Sequence, residues 1–348
     1  MNKYSHRVNH FIEFTEALLE AKDADPDYDV LAEYMKQHKL DIEQRMWLSF
    51  LFIITDTCDT ALLIYEDQGI REPSTENLNK FTSWFNKNKK KLWIGKERGK
   101  HRYDTPKCME SYIKALGNKT QNQFIYDHIT NDLDQNFKNL DNLLTSVKYI
   151  GPMAVYDWIE VLNRLCNIPL NYSYVTTIQC GIVGPCHGMD KILRRKDENS
   201  ETQKIYNGIR YYPFVKGNTK NYFEFLHNQV YYLNDVATAE IPGCDLGYVE
   251  TSLCKYNKFV ENRYYISWEI DEGLGEISKN ILHGWDRNYM YDLRKKSFDS
   301  CYLKENGSWS IDELSTLTKY KPFHFNWHTH WLRQFNMKPL RRHNTTLW

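Results

Sequence analysis

The sequence predicts a mostly α-helical protein, and three observations carry that prediction. Apolar residues recur at helical spacing through successive stretches of the chain as far as about residue 260. Capping residues stand at the starts of several of these stretches. Two Gly-Pro turns each lead directly into a further helical stretch. From about residue 262 the pattern loosens, with many aromatics among Gly273, Gly275 and Gly307. A chain of 348 residues can bury a large core. The economical organisation is one mainly helical domain: N-terminal helices over 1–144, a core over 145–265, and an irregular, aromatic-rich part over 266–348.

The elements follow in order. Residues 5–21 place Val8, Phe11, Ile12, Thr15, Leu18 and Leu19 on one helical face. Asp23 to Asp29, with Pro26 inside, reads as a turn, and 29–39 as a short helix. Asp41 caps a long helix through Trp47 to Tyr65. Its stretch 47–64 is apolar but holds Asp56, Asp59 and three threonines, which predicts a buried core helix and not a membrane span. Ser74 or Thr75 caps the next helix, which carries Leu78, Phe81 and Trp84. Residues 87–102 hold eight Lys/Arg and one Glu, with Gly95 and Gly99 as breakers. Helices are then expected over 107–116, 120–144 and 155–166, a basic helix end over 191–196, and further helices over 221–236 and 249–260.

Bulk properties narrow the function. Formal net charge is zero, so nucleic acid would be met by local patches and not by a global field. The 25 tyrosines suit a core of amphipathic rings ahead of a base-stacking surface. The eight cysteines are scattered, with no C-x-x-C, which argues against a disulfide framework. Met1 to His10 is polar and lacks the apolar run of a signal peptide, so a cytoplasmic protein without membrane partners is expected, in the host cytoplasm if the protein is viral. The sequence contains no G-x-x-x-x-G-K-[ST], G-x-G-x-x-G or H-E-x-x-H and no H-x-E…C-x-x-C, which counts against P-loop kinases, dinucleotide-dependent oxidoreductases, zincins and zinc deaminases.

Two short motifs carry the chemistry. Lys148-Tyr149-Ile150-Gly151-Pro152-Met153-Ala154-Val155-Tyr156-Asp157 reads as a tight hairpin between two helices. A glycine there lets the backbone approach a ligand, and the unpaired N–H groups of the following helix favour an anion such as a DNA phosphate. Gly181-Ile182-Val183-Gly184-Pro185-Cys186-His187-Gly188-Met189 reads as a second Gly-Pro turn entering a helix, able to hold a second anion. A third piece follows: Glu250-Thr251-Ser252-Leu253-Cys254-Lys255-Tyr256-Asn257-Lys258-Phe259.

In this order and spacing the three pieces resemble the phage thymine-hypermodification enzymes. These comprise the amino-acid:DNA transferases and the α-glutamyl/putrescinyl-thymine pyrophosphorylases, related to the helical domain of 5-hydroxymethyluracil DNA kinases. The resemblance spans roughly residues 145–265. It implies a helix-hairpin-helix, DNA-glycosylase-like helical core. It also implies a reaction: an amine or hydroxyl of an amino acid or polyamine displaces pyrophosphate from 5-pyrophosphoryloxymethyluracil in DNA. That chemistry needs cations or helix N-termini for the leaving group, a base for the nucleophile, and a pocket for an extruded base.

On this reading Gly151 and Pro152 hold the DNA backbone, and Gly184, Pro185 and Gly188 a phosphate or the pyrophosphate. Arg98, Arg102, Lys107, Lys255, Lys258 and Arg263 are candidate phosphate ligands, Asp157 and Glu250 candidate bases, and Tyr156 a candidate stacking residue. No cofactor is required, and Mg2+ is an option for assisting pyrophosphate departure. The stretch 168–174 lacks the acid that base-excising relatives of this fold carry beyond the hairpin, which disfavours a glycosylase. A non-catalytic DNA-binding protein is the alternative. Asp56 and Asp59, three apart, form a second carboxylate pair able to hold a metal or an ammonium group. His324, His328 and His330, and Cys180, Cys186 and His187, give weaker metal signals.

Overall fold

A computed structural model describes residues 6–95, 104–172, 184–193, 204–206, 209–211, 232–260, 264, 268–270, 273 and 289–290. The protein is mostly helical, as the sequence predicts. The described residues fall into two compact units. The first gathers α1 (His6–Glu20), α10 (Gly184–Leu193), the antiparallel strands β1 (Lys204–Tyr206) and β2 (Ile209–Tyr211), α11 (232–240) and α12 (Leu246–Val260). The second gathers α2 (Pro26–Gln37), α3 (Ile42–Thr55), α4 (Cys58–Leu62), a π-helical turn (Leu63–Asp67), α5 (Thr75–Asn88), α6 (Thr105–Leu116), α7 (Gln121–Tyr126), α8 (Leu133–Thr145) and α9 (Pro152–Cys166).

In the second unit α3 is the axis of the core. Every residue from Met46 to Thr55 is buried, so its apolar run is the signature of a central helix. Phe50 stacks on Tyr112 of α6 at 4.3 Å between ring centroids, and Tyr112 meets Trp158 of α9 edge-on at 5.1 Å. Trp47 donates its indole N–H to the Ile70 carbonyl at 2.8 Å, which satisfies the one polar atom it brings inside.

Local chemistry sets the helix ends. Asp41 and Gln44 form a reciprocal capping box on α3, and Ser74 accepts the Asn77 N–H at the start of α5. The long helix expected from Asp41 to Tyr65 is broken, however. Asp56 adopts φ +58°, Thr55 turns its hydroxyl back onto the Leu51 carbonyl, and Thr57 caps α4 by accepting the Thr60 N–H. Asp56 and Asp59 therefore lie on either side of a break and not along one helix face. The expected helix over 120–144 is likewise two helices, with Thr120 and Asp132 as separate caps. Pro26 opens α2 instead of interrupting a turn, because its fixed φ and missing N–H suit a first helical position.

The first unit packs α1 and α10 against α12. Phe11 and Phe14 meet Tyr256 edge-on at 5.4 and 5.5 Å, and Phe14 lies 4.8 Å from Phe259. His10 shares a buried hydrogen bond with the Tyr256 hydroxyl at 3.0 Å. Tyr34, Tyr65, Tyr112, Tyr156, Tyr256 and Tyr264 are all fully buried, so much of the tyrosine excess is core.

Candidate nucleic-acid interface and carboxylate cluster

The first Gly-Pro motif forms the connection between α8 and α9. Gly151 is the N-cap of α9 and Pro152 its first residue; both are exposed. No side chain caps this helix, and its first backbone bond runs from the Val155 N–H to the Gly151 carbonyl. A β-carbon on Gly151 would meet nothing within 4 Å, so the glycine leaves open space beside a helix N-terminus. The hairpin is held from α6. The Lys148 N–H donates to the Ser111 hydroxyl at 2.8 Å, and the Cys108 thiol lies 3.6 Å from the Tyr149 carbonyl. Lys107 sets its ammonium 5.7 Å from the Tyr149 ring centroid while pairing with Asp104 at 2.8 Å. That pairing raises the Lys107 pKa.

Tyr156, expected to meet a base, is buried between Phe137 and Tyr172. It lies one turn inside α9 on the apolar face, so the packing of α8 covers its ring. The exposed ring at the hairpin is Tyr149. Lys107 is the one expected phosphate ligand that the structure brings to this place. Arg98, Arg102 and Arg263 lie outside the described residues.

Asp157 is half-buried on the polar side of α9. One turn further on, Glu160 accepts two hydrogen bonds from Arg164, at 2.9 and 3.0 Å, and a third at 3.4 Å from the hydroxyl of Tyr28 on α2. Burial, then Glu160, Asp25 and Asp157, push the Tyr28 hydroxyl well above its ordinary pKa, against the opposing pull of Arg164. On the neighbouring residue, the Asp27 carboxylate faces Cys58 at the start of α4. Burial raises its pKa from 3.8 to about 6, with Asp56 and Glu269 adding to the rise and hydrogen bonds from Cys58 opposing it. The first turn of α2 is thus lined by carboxylates on two sides. Sequence reasoning found Asp157, Asp56 and Asp59 but missed Asp27, Tyr28, Glu160 and Arg164. The only sequence signal was the density of aspartates around Pro26.

The second Gly-Pro motif does something other than expected. Gly184 and Gly188 are one turn apart on α10, and Pro185 is buried. A β-carbon on Gly184 would come 2.3 Å from the Cys254 sulfur, and one on Gly188 would come 2.1 Å from the Leu253 carbonyl oxygen. These glycines let α10 lie directly on α12. The space an anion would need at Gly188 is filled by the backbone of a neighbouring helix.

On α12, Glu250 is 8% exposed and Lys255 is 6% exposed. Lys255 donates to the carbonyls of Asp23, at 2.9 Å, and Ala24, just beyond α1. The Tyr264 hydroxyl donates to the Asp23 carboxylate at 2.5 Å. Lys255 is therefore a buried tie between α12 and the end of α1, not a surface phosphate ligand. Lys258 is half-buried in the last turn of α12. Among the described residues no group of three His, Cys, Asp or Glu is placed to hold a metal ion. His324, His328, His330 and Cys180 lie outside the described residues, as does the side chain of Cys186. No described helix is long and apolar enough to cross a membrane.

The model of one protein family, described as amino acid:DNA transferase, matches residues 20–264. The chain belongs to that family. The matched span contains the hairpin, the carboxylate-lined turn of α2, the α10–α12 seam and all three motifs quoted above. Among curated proteins, a serinyltransferase of Salmonella phage ViI is 23% identical over 125 residues, or 36% of this chain. The matched region spans 30% of that protein's length. No solved structure matches.

Proposed function

We propose that this protein transfers an amino acid onto DNA, by displacing pyrophosphate from 5-pyrophosphoryloxymethyluracil. The observation that carries the reading is the family match, which runs continuously from α1 to α12 and places the α8–α9 hairpin inside the matched span. The exposed Gly151-Pro152 start of α9, with exposed Lys148 in the same connection and Lys107 near the Tyr149 ring, suits a DNA phosphate.

The chemistry balances without a further reactant. The donor's amine or hydroxyl forms a bond to the exocyclic methylene carbon, the bond from that carbon to the pyrophosphate oxygen breaks, and pyrophosphate leaves with the bonding pair. The donor's proton passes to a carboxylate. Asp157 and Glu250 are the candidate acceptors. Asp157 lies among carboxylates that also suit an ammonium donor electrostatically. Serine is the first donor to test, given the relative named as a serinyltransferase.

The test is nucleoside mass spectrometry. DNA carrying the pyrophosphorylated base is incubated with the protein and a pool of amino acids and polyamines, with and without Mg2+, and digested. A nucleoside heavier than thymidine by one donor, with matching pyrophosphate release, is the expected result. Unchanged nucleosides despite DNA binding would replace the reading with a non-catalytic binder, and abasic sites would replace it with a glycosylase.

A further inference from the structure

Tyr149 is the most exposed of the large apolar side chains described, at 48%. Its backbone has φ +70°, a region where glycine and asparagine are favoured and an aromatic residue is disfavoured by about 1 kcal/mol. The contact that fixes the hairpin at this residue uses its carbonyl, which any amino acid supplies. Neither backbone preference nor core packing accounts for a tyrosine here. It stands instead just before Gly151, the N-cap of α9, with the Lys107 ammonium 5.7 Å from its ring centroid.

We propose that Tyr149 is a base-stacking residue, its ring lying against a nucleobase of the bound DNA while Lys107 meets a flanking phosphate. The assignment rests on the DNA-modifying reading above and names the residue of the hairpin that touches a base. A flat ring suits any base, because every base offers a π-face. A lysine beside the ring suits a backbone that places a negative charge on both sides of each base. The pairing of Lys107 with Asp104 holds the lysine in position until a phosphate competes for it.

The experiment compares Tyr149→Phe, Tyr149→Leu and Tyr149→Gly with the unaltered protein. Affinity for a labelled duplex carrying the pyrophosphorylated base is read by fluorescence anisotropy, and stability by thermal melting. Phenylalanine keeps the ring and is expected to bind within twofold of the unaltered protein. Leucine keeps an apolar side chain but not the π-face, and is expected to weaken binding about tenfold, the scale of one lost base stack. Glycine relieves the positive φ, so its Tm should equal or exceed that of the parent while affinity again falls about tenfold. Leucine and glycine variants that bind as well as the parent would overturn the assignment and leave the DNA reading standing. Absence of DNA binding by the unaltered protein would remove the DNA reading itself, and the assignment with it.

Discussion

Gly188 on α10 lies so close to α12 that a β-carbon built on it would sit 2.1 Å from the Leu253 carbonyl oxygen. Real β-carbons do not approach that closely, and the obstacle is backbone, which cannot swing aside. Gly188→Ala should therefore force α10 and α12 apart and destabilise the fold by about 1–3 kcal/mol, the usual cost of overpacking. Gly184→Ala should cost less, because the atom in its way at 2.3 Å is the side-chain sulfur of Cys254. Chemical denaturation of the two variants checks the order. Equal stability of Gly188→Ala and the parent would contradict the seam.

The second prediction concerns Lys255. A phosphate ligand at this position would change the salt dependence of DNA binding by about one unit of slope when removed. A buried tie would instead take the ammonium away from the Ala24 carbonyl and leave the Asp23 carbonyl the Tyr264 hydroxyl at 3.4 Å, costing about 1–3 kcal/mol of stability. Lys255→Met is expected to lower the melting temperature and leave the salt slope unchanged.

Asp27 gives a pH dependence. Its folded pKa of about 6 lies above the ordinary 3.8, so the folded protein holds the proton more tightly than the unfolded chain. This group's contribution to stability is fully present below pH 3.8 and is lost as pH rises to about 6. Asp27→Asn should remove that fall and be more stable than the parent at neutral pH, with the Asn oxygen still able to accept a hydrogen bond from Cys58. Urea midpoints measured across the window test it; an unaltered pH slope in the variant would sink the assignment.

The fourth prediction follows from the α2–α9 contact. Arg164 supplies two of the hydrogen bonds that Glu160 receives, and both side chains are largely buried, at 12% and 5% exposure. Arg164→Met removes both of these hydrogen bonds and the opposite charge from a buried carboxylate, and should destabilise by about 3–5 kcal/mol. Adding Glu160→Gln to that variant removes the buried charge and should recover part of the loss. A double variant no more stable than Arg164→Met would show that the charge is not the cause.

What was legible in the chain was local. Asp41, and Ser74 or Thr75, were readable as caps because an N-cap acts on amides two or three residues away, and the structure selects Ser74. The hairpin was readable because Gly151-Pro152 sits between two periodic apolar runs. The breaks at Asp56 and over 127–132 fall at polar residues, Asp56-Thr57 and Thr130-Asn131-Asp132, but the apolar periodicity resumes on the far side of each, so each stretch reads as one helix. In the second, the side chain of Asn136 reaches the N–H and carbonyl of Thr130 and the carbonyl of Pro169, a contact between segments that no window of sequence contains.

The sequence by itself determined the helical class, most helix starts and the buried character of α3. Each rests on periodicity or on chemistry within a few residues. Tertiary structure decided which glycine meets solvent and which meets a helix. A missing β-carbon permits close approach equally at Gly151 and Gly188, and only the packed chain shows open space at one and the Leu253 backbone at the other. It also decided which tyrosine is exposed. Tyr156 and Tyr149 lie one on each side of Gly151-Pro152, but the helical phase of α9 turns Tyr156 into the core, while the positive φ at Tyr149 accompanies a ring left in solvent.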